Sequence, residues 1–312
     1  MNKNILVTGG AGFIGSEITK YLVNKKFKVT VLDNNTRGKP ERLKTVWKKI
    51  KFIKGDIRNK KKVYKSTKNV NSIIHLAYVN GTKFFYSKPY EILEIATKGM
   101  INLLDACKIR KIKEFYLASS SEVYQTPSKI PTDEKEMLKI PDIFNPRYSY
   151  GGGKIISELL GLHFAKKNKL KKFIIFRPHN VYSGDMGKEH VIPEFIERIK
   201  NIKKDKKFLI HGTGNEKRSF IHIDDFINAF DKVFHKGKNK EIYNIGTTEV
   251  IKIKDLAKKV AKIYNVKIKL KSAKLNVGGT NIRCPDITKI KKLGFKPKIN
   301  IEEGLKKITS KL

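Results

Sequence analysis

A short apolar run, Ile5 to Thr8, leads directly into Gly9-Gly10-Ala11-Gly12-Phe13-Ile14-Gly15 and a helix-like stretch from Phe13 to Asn24. Strand, spaced glycines and helix in that order severely limit the fold. The chain must turn tightly out of a buried strand and pack the following helix back onto it, as parallel sheets with crossover helices do. The same beat continues to about residue 178. Phe27 to Leu32, Ile50 to Ile53, Ser72 to Leu76, Phe115 to Ala118 and Phe173 to Phe176 are apolar runs of strand length, with helical stretches between them, notably Tyr90 to Ile109 and Tyr150 to Lys166. Such alternation predicts an α/β fold with a doubly wound parallel sheet. Later the rhythm changes. Ile192, Phe195, Ile196 and Ile199 fall on one helix face, before short strands at Phe208 to Ile210 and Ser219 to Ile221. A helix from Ile223 to Phe234, a strand from Ile242 to Ile245 and a helix from Lys254 to Tyr264 follow. The expected division is a sheet domain over 1–178, with 224–246 returning to it, and a smaller C-terminal α/β lobe made of 179–223 and 247–312.

Composition enters mainly through charge. The chain has 312 residues and a formal net charge of +39, with 68 basic against 29 acidic residues. A surplus of that size raises nucleic acid or an anionic membrane as partners. Its distribution argues against both, since only nine of the basic residues are Arg and the lysines are spread along the whole chain. Runs such as Lys60 to Lys62 and Lys203-Lys204-Asp205-Lys206-Lys207 read as solvated faces or turns. No apolar run approaches the ~18 residues that a membrane span needs. The N-terminus lacks the apolar region of a secretory signal. Cys107 and Cys284 stand far apart and form no metal or redox motif, and no histidine has metal-ligand spacing. A reducing cytoplasm is the expected setting.

Three motifs carry chemistry. In the glycine run, Gly9 permits the tight turn, Gly12 lets backbone approach a pyrophosphate, and Gly15 packs helix on strand. The helix start at Phe13 and Ile14 offers N–H groups and a dipole to that diphosphate. Asp33 closes the second strand, where a carboxylate accepts from a ribose diol and repels a 2′-phosphate, favouring NAD over NADP. Asp56-Ile57, after the third strand, is placed to reach the adenine. In Tyr150-Gly151-Gly152-Gly153-Lys154, Tyr and Lys four apart share a helix face. A neighbouring ammonium favours the phenolate, making Tyr150 a candidate general base. Three glycines inside a helix cost about 1 kcal/mol each relative to Ala, so a packed backbone or a close ligand is expected there. The third motif, Ser119-Ser120-Ser121-Glu122-Val123-Tyr124, follows the fifth strand, at the sheet end where such folds bind ligands. A serine hydroxyl there can bond both Tyr150 and a reacting oxygen.

Together these motifs resemble the extended short-chain dehydrogenase/reductase family, and within it the nucleotide-sugar epimerases, dehydratases and decarboxylases. The resemblance also takes in His75-Leu76-Ala77, Arg177-Pro178-His179-Asn180, Arg218 to Asp225 and Arg283-Cys284-Pro285-Asp286. It implies a Rossmann-type domain binding NAD and a C-terminal lobe binding a nucleotide-diphosphate sugar. It also implies Ser120 as the catalytic hydroxyl, Tyr150 as the base and Lys154 as the residue holding the nicotinamide ribose. By the same resemblance Leu76 and Ala77 border the cofactor, and Ser121 and His190 line the sugar pocket. Asn180, Arg218 and Arg283 hold the diphosphate, for which a planar guanidinium is suited. A homodimer through helices around 90–110 and 150–168 is implied as well. Departures from the family pattern are Gln125 in place of Gly, His179 in place of an aromatic, Ser183-Gly184 in place of Gly-Pro, and Ala96 in place of Asn.

The implied chemistry is transient oxidation of a sugar, most simply at C4, giving a 4-keto intermediate. Return of the hydride to the other face would make the enzyme a 4-epimerase of an NDP-hexose or hexuronate. Ser121-Glu122 resembles the loop of 4,6-dehydratases and UDP-uronate decarboxylases, where a Glu beside the catalytic hydroxyl assists chemistry at C5, so Glu122 keeps that alternative open.

Overall fold

A computed structural model describes residues 3–187, 189–202, 207–273 and 279–309. Lys203 to Lys206, expected to form a solvated turn, lie outside the described residues. The main sheet contains β1 (Asn4–Thr8), β2 (Lys28–Asp33), β3 (Ile50–Lys54), β4 (Ser72–His75), β5 (Glu114–Ala118) and β6 (Lys172–Pro178), with Glu241–Ile245 as its seventh strand. Across the sheet the order is β3-β2-β1-β4-β5-β6 and then Glu241–Ile245. Strands β1 to β6 pair in parallel, with Ile5 opposite both Val29 and Ser72. Strand order reverses between β1 and β4, which opens a crevice at their carboxyl ends. Burial on both faces explains the unbroken apolar strands: Ile5, Leu6, Val7, Ile73, Ile74 and Phe115 have no exposed surface.

Helices α1 (Phe13–Asn24), α2 (Lys60–Ser66), α3 (Thr82–Ser87), α4 (Pro89–Glu94), α5 (Met100–Arg110) and α6 (Ser149–Lys167) connect these strands. The helix predicted over Tyr90 to Ile109 is α4 and α5 joined by a π turn at Ile95–Gly99. Apolar periodicity carries no sign of that widened turn. It brings the Ala96 carbonyl to the Ser157 hydroxyl of α6, 3.1 Å away. The Lys-rich segment before β3 forms a 3-10 helix at Pro40–Lys49, against whose Trp47 ring Phe52 packs at 5.1 Å.

The chain forms two compact units. Unit 1 comprises Met1–Val123, Leu138–Arg177 and Val233–Tyr243; unit 2 comprises Tyr124–Met137, Pro178–Lys232 and Asn244–Leu312. In unit 2 the apolar face of helix Val191–Lys200 is buried as its spacing predicts. Ile192, Phe195, Ile196 and Ile199 pack with Phe208, Leu256, Val260 and Leu305 in one core. Each such side chain removed from water contributes about 1.5–3 kcal/mol. No described helix is long and apolar enough to cross a membrane.

One buried ion pair ties α6 to the sheet. Arg177 of β6 donates through Nε and Nη2 to the two carboxylate oxygens of Glu158, at 2.9 and 2.6 Å, and both residues are buried. Removing one partner strands the other charge. Arg177→Ala should therefore lower unfolding stability by roughly 3–5 kcal/mol in a denaturant titration, and the double change Arg177→Met with Glu158→Leu should recover most of it. Equal losses for the single and double variants would show that the pair carries no such coupling.

Candidate functional site

Unit 1 gathers the three motifs at the carboxyl ends of β1, β4 and β5. Gly9 has φ +71°, a left-handed conformation that glycine adopts without strain. A Cβ there would meet the Ala77 nitrogen at 2.6 Å, and one at Gly15 would strike the Gly9 carbonyl. Leu76 and Ala77 are thus pressed onto the glycine turn, with Ala77 N–H donating weakly to the Thr8 hydroxyl at 3.4 Å. A Cβ at Gly12 would meet only the Gly9 oxygen, at 3.0 Å, so that side of the turn is open to a ligand. Gly12 caps α1 with no side-chain hydrogen bond, leaving the N–H groups at Phe13 and Ile14 to an anion.

Asp33 accepts from the Ala11 N–H at 2.9 Å and the Asn35 N–H at 2.8 Å. Burial nonetheless raises its pKa, against those bonds and the charge of Arg42. Gly38 was not singled out by the sequence, yet a Cβ there would lie 2.7 Å from the Asp33 carboxyl carbon. Its bareness lets the Gly38 backbone lie close against the carboxylate. Asp56 is more committed than expected. Burial would raise it, but hydrogen bonds from the Arg58 side chain and backbone and from Asn34 hold its pKa at about 2. Ile57 has its side chain in the unit 1 core, and its carbonyl accepts from Asn102 at 3.0 Å. Arg37 turns to the Phe84 ring, 4.8 Å away.

The catalytic candidates converge on α6. Tyr150, Lys154 and Glu158 lie four apart and all are buried, so α6 directs a polar row inward. The Tyr150 phenol bonds the Ser120 side chain, whose hydroxyl also accepts from the Glu122 N–H at 3.1 Å. Lys154 Nζ donates to the Ala118 carbonyl at the end of β5, at 2.7 Å. Ser121 is buried in the 3-10 turn Ser121–Tyr124. Glu122 makes an ion pair with Arg147 at 3.4 Å, from the 3-10 turn just before α6. Sequence reading missed Arg147, because no spacing rule joins residues 25 apart.

The electrostatics differ from the sequence expectation for Tyr150. An ammonium four residues on was expected to lower the phenol. Burial instead drives Tyr150 well above the ordinary tyrosine range, opposed by the Ser120 bond and assisted by the Glu122 charge. Burial likewise brings Lys154 down to about 7, against the favourable charge of Glu158. Burial is the largest influence on both groups, and Lys154 Nζ lies 6.0 Å from the Tyr150 ring centroid. His75 is fully buried and lowered to about 3, by burial and then by Lys154.

Unit 2 holds the remaining candidates. Arg218 and Arg283 are directly paired on neighbouring strands, Lys217–Ser219 and Ile282–Arg283. Arg218 donates to the carbonyls of Lys217, Asn281 and Thr280, and Arg283 donates to the Thr280 hydroxyl at 3.1 Å. Two like charges side by side are unfavourable, and an anion relieves them. Asn180 has φ +39° and donates to the Ser219 carbonyl at 2.8 Å. His190 stands at the start of helix Val191–Lys200, without a side-chain capping bond. Gln125 has φ +52°, a left-handed conformation that glycine adopts more readily.

Comparison with known proteins agrees with this geometry. The chain is 34% identical over 275 residues to the dTDP-D-glucose 4,6-dehydratase of Dictyostelium discoideum, covering 84% of this chain and spanning 62% of that relative's length. It is 30% identical over 319 residues to the UDP-N-acetyl-alpha-D-glucosaminuronate decarboxylase of Bacillus cytotoxicus, covering 98% of this chain and 96% of the relative. Among solved structures, the UDP-glucose 4-epimerase of Thermotoga maritima with UDP-glucose superimposes with a TM-score of 0.87 at 28% identity, covering 99% of this chain and 97% of that one. The profile of the NAD dependent epimerase/dehydratase family matches residues 5–246. With the glycine turn, the Ser120–Tyr150–Lys154 set and this match in agreement, the chain belongs to the NAD-dependent epimerase/dehydratase family.

Proposed function

We propose that the chain is a nucleotide-sugar 4-epimerase, acting on an NDP-hexose or hexuronate through transient oxidation to a 4-keto sugar. The observation that carries this reading is the joining of Ser120, Tyr150 and Lys154 at the end of β5, with Tyr150 bonded to Ser120 and Lys154 to the Ala118 carbonyl. The bare turn at Gly9, Gly12 and Gly15, the uncapped start of α1 and the Asp33 carboxylate at the end of β2 fit NAD. When bound, NAD takes a hydride from the sugar carbon and returns it. In this reading unit 1 holds the cofactor. Unit 2 holds the nucleotide diphosphate through Asn180, Arg218 and Arg283, with His190 beside the sugar.

Tyr150, as phenolate, takes the proton of the C4 hydroxyl while the C4 hydrogen leaves as hydride, and gives it back on reduction. Ser120 orients the same oxygen. Lys154 binds the nicotinamide ribose and, as ammonium, offsets the burial that opposes a phenolate. A second reading, 4,6-dehydration or uronate decarboxylation, is favoured by Glu122. Its carboxylate is held by Arg147 and lies near enough to Tyr150 to shift the phenol. A base so placed serves the C5 carbon once C4 is a ketone.

A product screen by NMR with NAD⁺ and UDP-, GDP- and dTDP-hexoses and UDP-uronates tests both readings. The expected product is a 4-epimer, and Tyr150→Phe should lose at least 10²-fold in turnover; undiminished turnover would overturn the mechanism. Glu122→Gln should fall by a similar factor only if C5 chemistry is the reaction.

Assembly as a homodimer is part of this proposal. Tyr90 on α4 is 74% exposed, Ile101 on α5 46% and Leu159 on α6 53%, an apolar surface suited to a second copy. Light scattering should give twice the 35.8 kDa chain mass; a monomer at micromolar concentration would refute it. The two described cysteines are buried and unpaired, which suits a cytoplasmic setting.

Burial of Lys154 gives a test that needs no substrate. Its folded pKa of about 7 lies below the unfolded value of about 10.4. Below pH 7 both states carry the proton, and the full cost of burying an ammonium is present. Between the two values the unfolded chain binds more protons, so stability rises with pH by up to about 1.4 kcal/mol per unit. Relative to Lys154→Met, the protein should therefore gain stability from pH 7 to pH 10. A flat difference in denaturation midpoints over that range would contradict a buried, depressed lysine.

A further inference from the structure

We propose that Tyr78 is a positioning residue for the Tyr150–Lys154 pair, its ring forming the face on which Lys154 rests and Gly153 being bare in order to admit its hydroxyl end. The inference rests on the reading of Tyr150 and Lys154 given above. It starts from the glycine triplet of α6, a helix-weakening feature that neither cofactor nor substrate binding has explained.

A Cβ at Gly153 would strike the Tyr78 hydroxyl and come within 2.9 Å of the Ala96 Cβ. Tyr78 follows β4 and His75-Leu76-Ala77, so the loop that borders the glycine turn also drives an aromatic ring onto the backbone of α6. Its hydroxyl oxygen is buried with no hydrogen-bond partner among the described residues. Burial, and then Tyr150, raise its pKa well above the usual value, so it stays a neutral phenol. The hydroxyl therefore has no evident polar task, and the ring is what the site uses.

The ring touches both members of the pair. Lys154 Nζ lies 3.9 Å from the Tyr78 centroid, against 6.0 Å from that of Tyr150. Tyr150 packs edge-to-face with Tyr78 at 5.1 Å and 81°, and stacks on Phe85 at 4.8 Å and 27°. A buried ammonium has three donors. Ala118 takes one, and the negative face of an aromatic ring is a favourable neighbour for the charge that remains. Among the titratable groups around Lys154, Glu158 also favours its charge, and the others do not. Glu158, on its own helix, is bonded to Arg177; His75, from β4, is lowered to about 3; Tyr150 is raised by burial; and Glu122 faces Tyr150 and pairs with Arg147. Tyr78 thus favours the charged form of Lys154 and fixes its direction without adding a counter-charge that would oppose a phenolate at Tyr150. Small residues at 96 and 153 give the ring its place.

The test is a double-mutant cycle between positions 78 and 154, read as unfolding equilibria at pH 6 and pH 9. Tyr78→Leu with Lys154→Met should show a coupling of about five- to thirty-fold in the unfolding constant at pH 6, where Lys154 is charged, falling to within about twofold at pH 9. Tyr78→Phe, which keeps the ring, should show little coupling at either pH. Equal coupling at both pH values, or a Phe variant that behaves like the Leu variant, would mean that Tyr78 is packing only and would overturn the proposal. Should Tyr78→Leu not fold, Gly153→Ala decides. It should destabilise the protein at least about fivefold more than it destabilises Tyr78→Phe, which lacks the obstructing hydroxyl; equal effects would overturn the socket. With substrate, Tyr78→Leu should move the alkaline limb of the kcat profile down by about one pH unit, and Tyr78→Phe should move it less. A Tyr150→Phe variant that still turns over would defeat the functional reading and leave the stability cycle untouched. An inactive Tyr150→Phe combined with pH-independent coupling would defeat this inference alone.

Discussion

The inward polar row of α6 is the constraint to which the rest of unit 1 is fitted. Tyr150, Lys154 and Glu158 occupy successive turns of one helix face, and all three are buried where a helix of this kind usually places apolar side chains. Each must be met by a partner at a fixed distance: Ser120 for the phenol, the Ala118 carbonyl for the ammonium, Arg177 for the carboxylate. Those partners come from β5, its following turn and β6, so the register of the helix along two strands is set three times over. Leaving any one of them unmet costs more than a hydrogen bond is worth, because the unmatched group stays buried.

Close backbone approach supplies the second half of the design. The Gly9 turn receives Ala77, and α6 receives Tyr78 at Gly153, so two consecutive residues of the loop after β4 are seated in places that only glycine leaves open. One short segment therefore couples the turn proposed to hold the diphosphate to the helix that carries the proposed base. The π turn at Ile95–Gly99 belongs to the same arrangement. It presents Ala96 to Gly153 and its carbonyl to Ser157, where regular α geometry would orient that segment differently.

Much of this was legible in the sequence, for definite reasons. Strands β1 to β6 appear at their expected places because a sheet buried on both faces needs unbroken apolar runs. The helix face at Ile192, Phe195, Ile196 and Ile199 appears because a single buried side imposes its period. The Tyr150 and Lys154 pair was readable because the two share a helix turn, whereas Ser120 was named only through the family resemblance. What escaped depends on distance in sequence or on backbone detail. Arg177 and Glu158 stand 19 apart, Arg147 and Glu122 25 apart, and neither pair has a local signature. Tyr78 looks like one more apolar loop residue until the glycine opposite it is seen. The pKa of Tyr150 was misjudged in sign because spacing reveals the ammonium but not the depth of burial, and burial dominates.

The turn Pro146–Tyr148 links the two chemical questions the site poses. Arg147 within it holds Glu122, and α6 with Tyr150 begins directly after it. In the proposed reaction, oxidation at C4 requires Tyr150 alone, whereas any use of the acidified C5 proton requires Glu122 to be in reach and basic. The contact with Arg147 fixes the Glu122 carboxylate beside the start of α6. The proposed second reading therefore depends on a contact made from the same turn that starts α6.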